Sequence, residues 1–150
     1  YSRPGDKVSK VTAIVVHYVG NPGTTAEQNR SYFNNLAELK NAYASSHYVV
    51  GLQGEIIQCV PLDEIAYASN NRNYDTISIE CCHQDAEGRF TDDTYNSLVR
   101  LVAALCRTYG LNPETDVIRH YDVTGKLCPI YYVNNPDEWY AFKLSVKNEM

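Results

Sequence analysis

Two side chains able to bind a metal stand eight residues apart in the stretch Arg119-His120-Tyr121-Asp122-Val123-Thr124-Gly125-Lys126-Leu127-Cys128-Pro129. Imidazole nitrogen and thiolate sulfur are donors that zinc favours, and a polar loop of that length can fold both back onto one ion. A third donor is needed. His17 is the best candidate, because it ends the apolar run Val11-Thr12-Ala13-Ile14-Val15-Val16 and would reach the rim of a sheet. Three protein donors leave the fourth tetrahedral position to water, as in a catalytic zinc site. The competing reading is packing. Cysteine is among the most buried residue types, a lone histidine is often a satisfied core residue, and the chain lacks the CxxC pairs of a zinc ribbon.

In Ile77-Ser78-Ile79-Glu80-Cys81, strand alternation puts Ile77, Ile79 and Cys81 on one face and Ser78, Glu80 and Cys82 on the other. A carboxylate in such a strand is costly unless it is exposed, paired or used. Beside a zinc site Glu80 could take a proton from the attacking water; otherwise it is an exposed edge-strand glutamate. Lys126, two residues before Cys128, could stabilise an oxyanion or simply be a solvated loop lysine. His47 and His83 are also donors by type, but satisfied structural roles suit them better.

The elements that must position these groups follow from periodicity. Residues 11–18 read as a buried central strand, and Gly20-Asn21-Pro22-Gly23 breaks the chain. Thr24–Lys40 reads as a helix opened by a capping box between Thr24 and Glu27. Ser46–Leu52 and Glu55–Val60 form a hairpin about Gln53-Gly54, and Pro61–Asp75 is loop. Thr76–Cys82 is a strand. Thr91–Tyr109 is a helix with Thr91 as N-cap and Gly110 at its stop, its Tyr95, Leu98, Val102, Leu105, Cys106 and Tyr109 facing the sheet. Asp116–Arg119 is a short strand delivering His120, and Asn135-Pro136 opens a last helix to about Lys147, with Trp139, Phe142 and Val146 inward. Alternating strands and helices with one hairpin predict an α/β fold: a mixed sheet covered by helices on both sides, in one domain over residues 1–150. Strand ends at one edge of such a sheet are where sites are built.

Composition agrees and excludes some roles. The 150 residues are 44% hydrophobic and 21% charged, enough for a core without staples. The net charge of −5, with no basic stripe, argues against nucleic acid as the main partner. No run approaches the roughly 18 apolar residues of a membrane span. Cysteines 59, 81, 82, 106 and 128 form no regular framework and read as free thiols with one metal ligand among them. Thirteen tyrosines against three phenylalanines suit either a wet sugar- or peptide-binding groove or half-buried sheet positions. The chain begins at Tyr1, so it says nothing about a signal peptide.

Four stretches in this order, Ile14-Val15-Val16-His17-Tyr18, Ser46-His47-Tyr48-Val49-Val50, Ile77-Ser78-Ile79-Glu80-Cys81 and His120 through Pro129, resemble the type 2 N-acetylmuramoyl-L-alanine amidases. These are relatives of peptidoglycan recognition proteins, found in phage endolysins and bacterial autolysins. The resemblance runs from about Val8 to the final helix. It implies a mixed sheet flanked by helices, with zinc in a surface groove held by His17, His120 and Cys128. It implies Glu80 as the catalytic glutamate and Lys126 near the developing oxyanion. The substrate would be bacterial cell-wall peptidoglycan, cut at the amide between N-acetylmuramic acid and L-alanine. His47 matches a family histidine that is not a zinc ligand.

Two positions depart from that pattern. Some branches carry a catalytic tyrosine where this chain has Ser46, which leaves the chemistry to Glu80. Many relatives have a Trp-His pair where this chain reads Tyr67-Ala68-Ser69-Asn70, so one groove wall is altered. The alternative from another class is a module that holds muramyl peptide without cutting it; the presence of Cys128 disfavours it. Cleavage within the stem peptide is a third reading. Action at the cell wall is expected, by a phage lysin made in the host cytoplasm or a secreted autolysin, and a wall-binding domain outside this chain fits the acidic charge.

Overall fold

The computed structural model describes residues 1–150. A five-stranded sheet forms its centre, in the order β3-β2-β4-β1-β5. β1 (Ala13–Tyr18) lies between β4 (Thr76–Cys81) and β5 (Val117–Arg119), parallel to both. β2 (Tyr48–Val50) runs parallel to β4 and antiparallel to the edge strand β3 (Ile56–Gln58). The expected buried strand is β1, interior but beside the edge strand β5, while β4 holds the centre. Its Val15 and Val16 are fully buried, as expected of a strand covered on two faces.

The two faces differ chemically. Ile14 and Val16 align with Ile77 and Ile79 in the β1–β4 register, and this face packs on α2 (Asp92–Tyr109) and α6 (Pro136–Glu149). Leu98, Val102 and Cys106 from α2 meet Trp139, Phe142 and Val146 from α6 in one core. On the opposite face α1 (Ala26–Leu39) covers the β2–β3 side through Ala26 and Phe33, against Val49 and Cys82. Beyond it lie His17, Ser78 and Glu80, which no apolar helix could cover without stranding polar groups. A loop closed by a 3₁₀ turn (Asn70–Asp75) lies there instead.

The expected helices, strands and hairpin are present, with local corrections. The first helix begins one residue later than the Thr24–Glu27 pattern suggests. Thr25 Oγ1 accepts from Gln28 N, and Gln28 Oε1 accepts from Thr25 N, completing the capping box. Thr24 instead donates to Asn21 O across the preceding turn. The hairpin strands are shorter than the apolar runs that announce them. Three short helices had no signal long enough to read: α3 (Pro113–Asp116), α4 (His120–Thr124) and α5 (Ile130–Asn134). No helix is long and apolar enough to cross a membrane.

Candidate functional site

β1 and β4 are paired so that His17 stands directly beside Glu80 at the carboxyl ends of both strands. One strand over, β5 ends at Arg119 and the chain turns at once into α4, whose first residue is His120. Asp122 accepts from the backbone N–H of Arg119 at 2.9 Å and from its guanidinium, which secures the start of that helix. Gly125, at φ 83°, stops α4 in the left-handed conformation that glycine adopts readily. The loop then returns, and Tyr121 N donates to Cys128 O at 3.0 Å. The eight-residue spacing thus becomes a closed turn with histidine and cysteine on one side.

One donor atom from each of His17, His120 and Cys128 lies within 4.8 Å of the other two. Nδ1 of His17 is 3.7 Å from Sγ of Cys128, and the two imidazoles meet edge to face, centroids 4.8 Å apart. All three side chains are buried. Tetrahedral zinc with bonds of about 2.0 Å to nitrogen and 2.3 Å to sulfur needs its donors at comparable mutual separations.

The surrounding hydrogen bonds leave the right nitrogens free. Asn70 Oδ1 lies 2.7 Å from Nε2 of His120. An amide oxygen only accepts, so Nε2 carries the proton and Nδ1 keeps its lone pair. That Nδ1 is buried and has no protein partner. On His17 the Nε2 atom lies 3.2 Å from Ser69 Oγ, which in turn is 2.9 Å from Ser78 Oγ. The hydroxyl can accept from the ring and donate onward, leaving Nδ1 of His17 facing Cys128. These contacts have the form of the outer shell around a metal site.

Electrostatics agree with that geometry. Burial holds His17 well below the ordinary histidine range, with His120 and Lys126 adding to the effect. His120 is lowered by burial and by Lys126. Both shifts favour the neutral imidazole that metal binding needs. Burial, reinforced by Glu80, pushes the Cys128 thiol up to about 12. A cation bound at the sulfur would reverse that, since metal ligation requires the thiolate.

Glu80 is half-buried, and its Oε2 is buried with no hydrogen-bond partner. Burial pushes its carboxyl up to about 8, opposed only by Lys126. Lys126 is exposed and lines the same cleft of about 400 Å³ as the three donors and Glu80.

The remaining sequence candidates lie elsewhere. His47 accepts from Ser78 N at Nδ1 (3.0 Å) and reaches Glu64 O through Nε2 (2.7 Å). His83 accepts from Gly20 N and pairs with Asp85 O. Both rings are spent on main chain. Ser46 is buried and donates to Tyr48 O, away from any chemistry. The other cysteines are free thiols.

The sequence places Ser69 and Asn70 in an altered groove wall but gives neither a role beside the histidines. A signal did exist, in the polar run Ser69-Asn70-Asn71-Arg72-Asn73, where asparagine tolerates left-handed backbone. Asn70 sits at φ 53°. Asn73 Oδ1 accepts from the backbone N–H groups of Ala68 (3.2 Å) and Ser69 (2.6 Å), holding this loop against the histidines.

The architecture is that of endolysin catalytic domains. The solved structure of PlyL superposes with a TM-score of 0.82 at 26% identity, over 99% of this chain and 90% of that one. The PlyG catalytic domain gives 0.82 at 29% identity, over 99% and 86%. The family model described as N-acetylmuramoyl-L-alanine amidase matches residues 7–130, and the chain belongs to that family. BlyA, an N-acetylmuramoyl-L-alanine amidase of Bacillus subtilis strain 168, is 35% identical over 100% of this chain and 45% of its own length. CwlL of Bacillus licheniformis, of the same description, is 35% identical over 97% of this chain and 43% of its own length. The chain spans less than half the length of these curated relatives.

Proposed function

We propose that this chain is a zinc-dependent amidase that hydrolyses the bond between N-acetylmuramic acid and L-alanine in bacterial peptidoglycan. One observation carries the reading: in a chain of this family, the donors of His17, His120 and Cys128 converge within 4.8 Å beside an unpartnered Glu80 oxygen. His17, His120 and Cys128 would hold a zinc ion there, which would supply Lewis acidity to the scissile carbonyl and acidify the attacking water. Glu80 takes that water's proton and delivers it to the leaving nitrogen, so one amide and one water become a lactyl carboxylate and an alanine amine. Burial raises the affinity of the Glu80 carboxyl for protons and a cation held beside it would lower that affinity again, which lets one group both take and return a proton. Lys126, which lines the same cleft and forms no salt bridge, would stabilise the developing oxyanion. Ser69 and Asn70 hold the imidazoles in the tautomer that metal binding needs. Action on the wall places the working protein where peptidoglycan is reached.

The test is a digest of purified Gram-positive peptidoglycan with and without a zinc chelator, scored for new alanine amines and new reducing sugars. Alanine amines that require zinc, with no new reducing ends, are expected. Amines from another residue would move the cut into the stem peptide. No release by folded, zinc-loaded protein would leave a recognition module.

A further inference from the structure

Three tyrosines form a ladder from the cleft wall to the surface. Tyr67 and Tyr43 line the cleft that holds the histidines and Cys128. Tyr43 stacks on Tyr1 with ring centroids 4.6 Å apart and planes 4° from parallel, and it meets Tyr67 edge to face at 5.4 Å. Tyr43 is nevertheless 65% exposed.

The ladder is anchored by main chain. Ala44 N donates to Tyr1 O at 3.0 Å, Ser45 N donates to Tyr67 O at 3.0 Å, and Tyr67 N donates to Ser45 Oγ at 2.8 Å. Three separate segments are thereby zipped together, and the rings project from the seam. None of the three rings belongs to either hydrophobic cluster, so packing of the core does not account for them. Exposed aromatic surface that is ordered in advance, beside a cleft, has the properties of a binding platform.

The chemistry of the rings points to the occupant. A pyranose presents C–H bonds on a flat face and hydroxyls around its edge. The partly positive C–H face complements the negative face of an aromatic ring, and tyrosine hydroxyls lie in the plane where sugar hydroxyls and water can meet them. The three rings carry no charge, so they offer a charged stem peptide only contact area. We propose that Tyr43, braced by Tyr1 and Tyr67, is a glycan subsite that packs on a sugar ring next to the muramoyl residue being cleaved. This rests on the amidase reading above.

The test compares a single-sugar muramoyl peptide with a strand of several disaccharides carrying the same stem. Tyr43→Ala should lower the preference for the strand, read as the ratio of the two kcat/KM values, by about 3- to 10-fold. Tyr43→Trp should keep the ratio, because the ring face is what matters. An unchanged ratio in Tyr43→Ala, in protein of unaltered Tm, overturns the platform. Fluorescence titration with glycan strands stripped of their stems reads the same contact without turnover. Weaker binding by Tyr43→Ala is expected there, and equal binding overturns the proposal. Wild-type protein that binds stripped strands but frees no alanine amine from stem-bearing strands would refute the amidase reading while leaving the platform standing.

Discussion

Asn70 accepts a hydrogen bond from Nε2 of His120 at 2.7 Å, and that single contact decides which ring nitrogen faces His17 and Cys128. The bond comes from a residue fifty positions away in sequence, held at φ 53° where few side chains are comfortable. Backbone in so sparsely populated a region persists only when its surroundings hold it, and here Asn73 clamps the two residues before it.

The first prediction follows directly. Asn70→Ala frees the His120 ring to rotate or change tautomer, and zinc affinity should fall by about 10- to 100-fold. Asn70→Asp retains an acceptor and should retain most of the affinity. Competition against a fluorescent chelator measures both variants; wild-type affinity in Asn70→Ala would remove Asn70 from the metal site.

Glu80→Gln separates metal binding from chemistry. The amide preserves shape but cannot take a proton, so turnover on peptidoglycan should drop by about 10²- to 10⁴-fold while bound zinc stays stoichiometric. His17→Ala and Cys128→Ala should instead lose the metal. Full turnover in Glu80→Gln would assign the proton transfer to another group.

Legibility in the sequence followed periodicity. β1, β4 and α2 announce themselves because Val15 and Val16, the Ile77–Cys81 alternation and the Leu98–Val102–Cys106 spacing each record which face is buried. His17, Glu80, His120 and Cys128 were visible because their types are rare at strand ends and in short loops. Resemblance to the amidases then joined them into one set. Ser69 and Asn70 were hidden because a hydrogen bond to a histidine ring imposes no repeat on a polar loop. The first helix starts one residue later than Thr24 suggests for a related reason. Thr24-Thr25-Ala26-Glu27-Gln28 contains two overlapping capping boxes, and only the turn at Asn21 selects between them.

Asp75 links this loop to acid stability. Burial alone would raise its carboxyl, but hydrogen bonds from Arg72 and Thr12 outweigh burial and hold it below 3.8. A lowered carboxyl stabilises the fold above its unfolded pKa, and that contribution is lost as pH falls through the lower folded value. Asp75→Asn should therefore cost about 1–3 kcal/mol near pH 7, and the gap from wild type should close as pH drops below 3.8. Urea unfolding at both pH values reads this; a gap independent of pH would mean the carboxylate charge is not what matters.

Gly54 and Gly110 allow two costs of adding a methyl group to be told apart. Both have positive φ, 82° and 66°. Gly110 follows α2 with nothing within 4 Å of the position a Cβ would take. At Gly54, in the β2–β3 hairpin, a Cβ would lie 2.7 Å from Ser97 Oγ and 2.9 Å from the backbone oxygen of Asp93. Ser97 also donates to Gly54 O at 2.7 Å, tying the hairpin to the first turns of α2. Gly110→Ala should cost only the left-handed backbone penalty, about 1 kcal/mol. Gly54→Ala adds a clash with backbone that cannot swing aside, and should cost about 2–4 kcal/mol in all. The hairpin lies apart from the cleft lined by His17 and Cys128, so zinc affinity of the folded Gly54→Ala protein should match wild type. Equal losses of stability at the two glycines, measured by urea unfolding, would mean that the hairpin yields and the contact with α2 is not rigid.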